Sequence, residues 1–242
     1  MNKLCFAVRW IQNQKRYHVM KEVIGTQKSS LAKQKSHWET TLSSKPDMFG
    51  ELQSACASIA VDLFKKEGVS DILELGGGQG RDTMFFAKSG FQVQVIDYSP
   101  SGVVEIKEKA ASLGLSHLIT AKCHDIRNPL PFKNDSLDAC YSHMLYCMAL
   151  TTSELEFLSK EVRRVLKPGG LNIYTVRHTG DADYAVGTHH GEDMYQAGGF
   201  IVHFFSEDKV RHLAEGFKIV EIDEFEEGAL PRKLFRVTLR KE

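Results

Sequence analysis

Glu74-Leu75-Gly76-Gly77-Gly78-Gln79-Gly80 sits directly behind the short apolar run that begins at Ile72, and Asp97 closes a second apolar stretch. Missing side chains at Gly76, Gly78 and Gly80 let a ligand lie against the main chain. A carboxylate about 20 residues further on, emerging beside that turn, accepts hydrogen bonds from ribose hydroxyls. The pair reads as a nucleoside site. A dinucleotide is disfavoured, because GxGxxG counted from Gly76 requires glycine where the chain has Arg81. Two other places could do chemistry. In Tyr141-Ser142-His143-Met144 the imidazole of His143 is a candidate general base, or else a hydrogen-bonded wall residue. Residues 177–205 gather histidines, acids and tyrosines, among them His178, Tyr184 and Tyr195, but His189 and His190 are adjacent and no HxH or HExxH spacing occurs, so no metal centre is expected.

These residues need elements to hold them. Ile72 to Leu75 reads as a buried parallel strand, and Arg81 and Asp82 open a helix with Phe85, Phe86 and Ala87 inward and Gly90 as its stop. Phe91, Val93 and Val95 alternate with glutamines as a second strand ending at Asp97. A helix over Glu51 to Lys66 precedes the first strand, and another with Val103, Ile106, Ala110 and Leu113 inward follows Tyr98-Ser99-Pro100. Leu118 to Ala121 and Asp138 to Ser142 are the third and fourth strands. Thr151 and Glu154 form a capping box for a helix that stops at Lys167-Pro168-Gly169-Gly170. Leu171 to Val176 is a fifth strand, Ser206 caps a further helix, and Phe217 to Ile222 and Leu234 to Leu239 close the chain as two strands. The stretch 177–205 is too long for an ordinary connection and is expected to act as a lid over substrate.

Composition narrows the partners. Basic and acidic residues balance at 31 each over 242 residues, so no global field draws the chain to nucleic acid or an anionic membrane. No apolar run approaches the about 18 residues a membrane span requires. The five cysteines include no CxxC pair, which suits reduced thiols in a cytoplasmic protein without structural disulfides. Residues 1–37 are basic, with Lys3, Arg9, Lys15, Arg16, Lys21, Lys28, Lys33 and Lys35 against the single acid Glu22. A transit peptide, a binding arm and a floppy extension upstream of a natural start at Met20 are the alternatives, and the last is preferred for residues 1–35. Order is expected from about Ser36.

The glycine turn, Asp97-Tyr98, Asp125-Ile126 and the Leu166-Lys167-Pro168-Gly169-Gly170 turn occur in that order. Together they resemble the motifs of class I S-adenosylmethionine-dependent methyltransferases, in particular the small-molecule group that includes the tellurite-resistance and thiopurine-type enzymes. The resemblance runs from about residue 46 to the end. It implies an α/β, Rossmann-like, doubly wound seven-stranded sheet of order 3-2-1-4-5-7-6, with strand 7 antiparallel, in a single domain over residues 36–242. The implied cofactor is S-adenosyl-L-methionine. By the resemblance, the Gly76 to Gly80 backbone faces its methionine moiety, Asp97 holds the ribose, Tyr98 flanks adenine and Asp125 accepts the adenine amino proton. Ser142 and His143 would line the methyl side, and Glu74, Arg81 and Ile126 complete the expected set. Gly77 departs from relatives with a side chain there and is expected to loosen the turn. The stretch after the fourth strand lacks the acidic or Asn, two prolines and aromatic typical of adenine or glutamine methylases.

The expected reaction is in-line methyl transfer to a small soluble acceptor through oxygen, sulfur or a chalcogen, for which alignment is the main lever. Trp38 would cap the cleft or simply pack on the sheet edge. Tyr98 and Tyr146 would offer ring faces to the sulfonium, or fill the core. His178, Tyr184 and Tyr195 are candidate acceptor contacts from the lid. Cys140 and Cys147 leave metalloid capture by thiolates open, although buried inert thiols are the common case. Competing readings are a protein or RNA methyltransferase using the basic leader, and a cofactor-binding module without catalysis. Oligomeric state is not readable.

Overall fold

A computed structural model describes residues 33–228 and 232–242. The expectations for residues 1–32, the transit, arm and extension readings included, lie outside the described residues. Helix α1 (33–44) is followed by α2 (Ala55–Lys66), β1 (Asp71–Leu75), α3 (Arg81–Lys88), β2 (Gln92–Asp97), α4 (Pro100–Ser112), β3 (Ile119–Cys123) and β4 (Leu137–His143). Then come α5 (Thr152–Val165), β5 (Leu166–Arg177), β6 (Thr188–His189), β7 (Met194–Ala197), β8 (Phe200–His203), α6 (Glu207–Leu213), β9 (Phe217–Glu227) and β10 (Arg232–Lys241).

The main sheet has seven strands in the order β3-β2-β1-β4-β5-β10-β9, with β1 to β5 parallel and β10 antiparallel to both its neighbours. With β9 and β10 as the sixth and seventh core strands, this is the 3-2-1-4-5-7-6 order expected. Alternation along the strands sends side chains to two layers. Ile72, Val93, Val95, Ala139 and Tyr141 pack with Phe64 of α2, Phe86 of α3 and Ile106 of α4. Leu73, Leu75, Ile96, Cys140 and Tyr174 pack with Leu155 and Leu158 of α5 and Val210 and Leu213 of α6. The central strand is thereby buried on both faces, and its tip is held rigidly where the glycines begin.

Local chemistry sets the ends of the helices that matter. Thr151 and Glu154 form the expected reciprocal box at α5. Helix α2 starts later than expected, at Ala55, because the Ser54 hydroxyl caps it by accepting from Ala57 N. The same hydroxyl donates to the buried Asp82 carboxylate, which also accepts from Ser54 N and the Tyr141 hydroxyl. One acid thus ties α2, α3 and β4 together. Helix α1 extends further toward the N-terminus than Ser36.

Two stretches differ from expectation. Residues 177–205 are not a loop but carry a three-stranded antiparallel sheet, β6-β7-β8. Strand β9 runs on from the expected end at Ile222 to Glu227, and β10 begins at Arg232 rather than Leu234, which carries their hairpin past the end of β5 at Arg177.

Gly77 does the opposite of loosening its turn. A Cβ there would lie 2.4 Å from Val95 Cγ2, 3.2 Å from Thr83 Oγ1 and 3.3 Å from Ile106 Cδ1, so the turn is pressed onto β2, α3 and α4. Gly102 likewise lets α4 close on the turn, as its Cβ would meet Gly78 O at 2.5 Å. We expect Gly77→Ala to cost about 1–3 kcal/mol by overpacking, read from urea unfolding. In a Val95→Ala background the cost should shrink, the coupling expected for atoms in contact.

Candidate active site

The β1 and β2 tips meet at the glycine turn. Gly76 N donates to Ile96 O at 2.8 Å, extending the parallel ladder into the turn. Gly78 N then donates to Asp97 Oδ2 at 2.9 Å, and Ser99 N to Asp97 Oδ1 at 2.8 Å. Burial pushes the Asp97 carboxyl up, against the pull of the Ser99 and Gly78 amides. Glu74, buried one layer below, is pushed up to about 8, chiefly by burial and then by Asp82, while Thr83 donates to it. Asp82 remains below its ordinary value despite burial, because Arg81, His143 and the Ser54 groups favour its charged form.

In front of the turn lies a cavity of about 410 Å³. That is within the about 300–1,000 Å³ usual for small-molecule sites. Glu74, Gly76, Gly78, Arg81, Asp97, Tyr98 and His143 all border it, as do Trp38 and Tyr195. A Cβ on Gly78 would project into open space with only Phe49 at 3.7 Å. Beside Tyr98 the cavity adjoins a cleft of about 30 Å³ lined by Asp125, Ile126, Lys35, Trp38 and Leu145. Both Asp125 oxygens accept from the Arg127 guanidinium, which first of all holds that carboxyl down.

The roof is built by α1 and the small sheet. Gln34 donates to Gly199 O at 3.0 Å and accepts from Ile201 N at 3.1 Å, and Trp38 packs on Phe200 at 4.6 Å between ring centroids. Gln79 of the turn donates to Leu42 O and Lys45 O, and accepts from Met48 N. The sheet is fastened below, where His203 N donates to Cys147 O and the buried His203 ring bonds Leu150 O. From this roof Tyr195, Ala197, Phe200, Val202 and Phe204 face the cavity.

The far end is polar. His143 Nδ1 lies 3.0 Å from Thr175 Oγ1, which accepts from Met144 N at 3.0 Å, and His143 Nε2 lies 3.0 Å from Glu227 Oε2. Met144 takes a left-handed φ of 63°, the kind of local strain that surrounding structure must hold. Arg177, Asp183, Glu227 and Arg232 complete that end. The sequence reading missed Glu227 and Arg232, which reach the cavity only through the overlong hairpin. No local pattern marks them.

Several expected residues stand elsewhere. Ser142 points from β4 into the α5/α6 layer by simple alternation, is fully buried and does not border the cavity. Tyr146 is fully buried and stacked on Tyr174 at 4.4 Å, a core residue rather than a ligand face. His178 is stacked on Phe235, accepts from Gly180 N and borders neither of the two cavities; burial keeps its ring below the ordinary value. Tyr184 supports the roof from behind, donating to Asp193 Oδ1 and packing edge-on against Tyr195 and Phe204. Gly80 does not border the cavity either; its Cβ would meet Ile106 Cγ1 at 2.9 Å, so it serves the packing of α4. Cys140 and Cys147 are buried with their thiols pushed up by desolvation, Cys147 to about 11, so neither is a ready thiolate.

Residues 72–170, which hold the turn, Asp97, Asp125 and β4, match the family described as methyltransferase domain. Residues 72–170 are a methyltransferase domain. The sterol 4-C-methyltransferase of Caenorhabditis elegans is 27% identical over 140 residues, 55% of this chain and 40% of that protein. Phosphoethanolamine N-methyltransferase 1 of Triticum aestivum is 34% identical over 100 residues, 41% of this chain and 20% of that protein. The chain therefore spans less than half the length of these curated relatives. The Burkholderia thailandensis 1,6-didemethyltoxoflavin-N1-methyltransferase, solved with its namesake compound and S-adenosylhomocysteine, superposes with a TM-score of 0.66 at 16% identity, covering 87% of this chain and 88% of that one. The seven-stranded sheet has the class I fold, as the motifs implied, and the cofactor of methyltransferases with that fold is S-adenosylmethionine. No helix among the described residues is long and apolar enough to cross a membrane.

Glu74 gives the domain a pH signature. Its folded value of about 8 lies above the ordinary 4.5, so the unfolded chain releases this proton first as pH rises. Stability from this group is therefore full below about pH 4.5 and is lost as pH climbs through about 8. Glu74→Gln should remove that slope. In thermal melts the variant should gain on the wild type progressively from mildly acidic to mildly alkaline buffer.

Proposed function

We propose that the chain is an S-adenosylmethionine-dependent methyltransferase that moves a methyl group by in-line displacement to a small soluble acceptor with an oxygen, sulfur or chalcogen nucleophile. The observation that carries this is the bracket of Gly78 N–H and the Asp97 carboxylate opening onto the same cavity as His143 and Glu227. The residues present fit the cofactor. Asp97 would hold the ribose hydroxyls, the bare backbone at Gly76 and Gly78 the methionine moiety, and Tyr98, Asp125 and Ile126 the adenine. When bound, the cofactor supplies a methyl group already activated by its sulfonium. What remains for the protein is to orient, to exclude water and to manage a proton.

The adenine end would be the side of the cavity at Tyr98, where a narrow cleft of about 30 Å³ continues toward Asp125 and Ile126 beneath Gln34 and Lys35 of α1. A roof of α1 and the β6-β7-β8 sheet favours an acceptor that can be enclosed over a macromolecule that must lie across the mouth. Buried, protonated Cys140 and Cys147 argue against a metalloid held by thiolates.

Titration calorimetry should detect S-adenosylhomocysteine binding to the wild type. Asp97→Ala should weaken it about 10- to 100-fold, the worth of a hydrogen bond to a charged group, and should also lower the melting temperature, because the Gly78 and Ser99 amides lose their acceptor. Absence of binding by the wild type would remove this reading.

A further inference from the structure

Glu227 ends β9 at the projecting hairpin, and its carboxylate borders the cavity beside His143. We propose that Glu227, oriented by His143 and Thr175, is the base that receives the acceptor's proton, and that the acceptor reacts through a hydroxyl group. This rests on the methyltransferase reading above and deepens it.

The hydrogen-bond pattern separates the two candidates for the base. A carboxylate can only accept, so the His143 Nε2 that lies 3.0 Å from Glu227 Oε2 carries a proton in either the neutral or the charged ring. The other nitrogen is taken by Thr175, whose hydroxyl accepts from Met144 N and so has its own proton to give to Nδ1. Neither ring nitrogen offers a lone pair to the cavity, and the role of base expected for His143 passes to its partner. Glu227 uses Oε2 for His143, while Oε1 has no hydrogen bond among the described residues. His143 is then a positioning residue.

The hydrogen bond that Glu227 accepts from His143 at 3.0 Å bears on the acceptor, because a carboxylate with one oxygen already engaged is a weaker base. The hydrogen bond from His143 is the main reason its carboxyl lies below the ordinary value, so it is ionised and weakly basic. Around it stand His143 of β4, Arg81 and Asp82 of α3, and Arg232 of β10, with Arg177 and Asp183 at the same end of the cavity. A weak base cannot strip a resting phenol or thiol before transfer. It need not do so for a hydroxyl, because an oxygen giving its lone pair to a methyl becomes oxonium-like and strongly acidic. In the step, the acceptor oxygen bonds the methyl carbon and the carbon–sulfur pair stays on sulfur, leaving a neutral thioether. The O–H proton passes to Glu227 Oε1 and then to solvent. A thiol reacts as a thiolate, which a neighbouring carboxylate repels, and an amine attacks through its lone pair with no base in that step.

The test uses the full chain with S-adenosylmethionine and, as probes, phenol, 4-nitrophenol, thiophenol and aniline, following S-adenosylhomocysteine release. The expected result is methylation of the phenols, with Glu227→Gln lowering kcat on phenol about 100- to 10,000-fold. The loss should be much smaller on 4-nitrophenol in mildly alkaline buffer, where that hydroxyl is already ionised. Calorimetric affinity for S-adenosylhomocysteine should be unchanged, and the acid limb of the wild-type rate profile should vanish in the variant. Nitrogen NMR of the His143 ring, independent of turnover, should show Nε2 protonated. Equal losses on both phenols, undiminished kcat in Glu227→Gln, preference for thiophenol or aniline, no turnover of either phenol by a protein that binds the cofactor product, or an unprotonated Nε2 would each overturn the proposal. Failure of the wild type to bind S-adenosylhomocysteine would instead sink the underlying methyltransferase reading, and the proposal with it.

Discussion

One hydrogen bond organises this molecule, the 2.9 Å link from Gly78 N–H to the carboxylate of Asp97. It joins the turn after β1 to the tip of β2, two adjacent parallel strands whose register runs in step from Asp71 with Gln92 to Leu75 with Ile96. Because the ladder continues into Gly76, the turn cannot drift from the acid. A fixed carboxylate and a bare main chain face the cavity together, and the ordering of those groups occurred during folding.

The rest of the architecture protects that link. Gly77 and Gly102 let β2 and α4 close on the turn at distances no side chain would permit. Asp82, buried and held by Ser54, Tyr141 and Arg81, anchors the start of α3 to α2 and β4, so a charge is kept inside because every lone-pair direction has a use. The roof is a second body of contacts, with Gln34 binding the small sheet and Gln79 binding the end of α1. Through these two glutamines, the roof of the cavity and the glycine turn are parts of one connected framework.

What the sequence revealed was whatever is encoded over a few consecutive residues. The run from Ile72 to Asp97 announces strand, turn, helix and strand because apolar period, glycine and the terminal acid are local signals, and the capping box at Thr151 is another. The sheet order followed once these motifs were placed in sequence. The acceptor end was legible only in part. Tyr146, His178 and Ser142 are of types that bind ligands, but whether a ring or hydroxyl faces a cavity depends on stacking against Tyr174 or Phe235 and on strand parity, which are tertiary facts. Glu227 lies in an acid-rich stretch resembling a solvated edge strand, and only the length of the β9-β10 hairpin brings it to His143, more than eighty positions earlier in the chain. The roof sheet was hidden for a similar reason, since its strands are short and their partners are one another.

The most direct measurement is a crystal structure of the full chain with S-adenosylhomocysteine. The account predicts the ribose hydroxyls on Asp97, the amino-acid tail along Gly76 to Gly78, and the thioether sulfur turned toward the end of the cavity held by His143 and Glu227. A nucleoside bound anywhere else, or a sulfur directed away from Glu227, would contradict it.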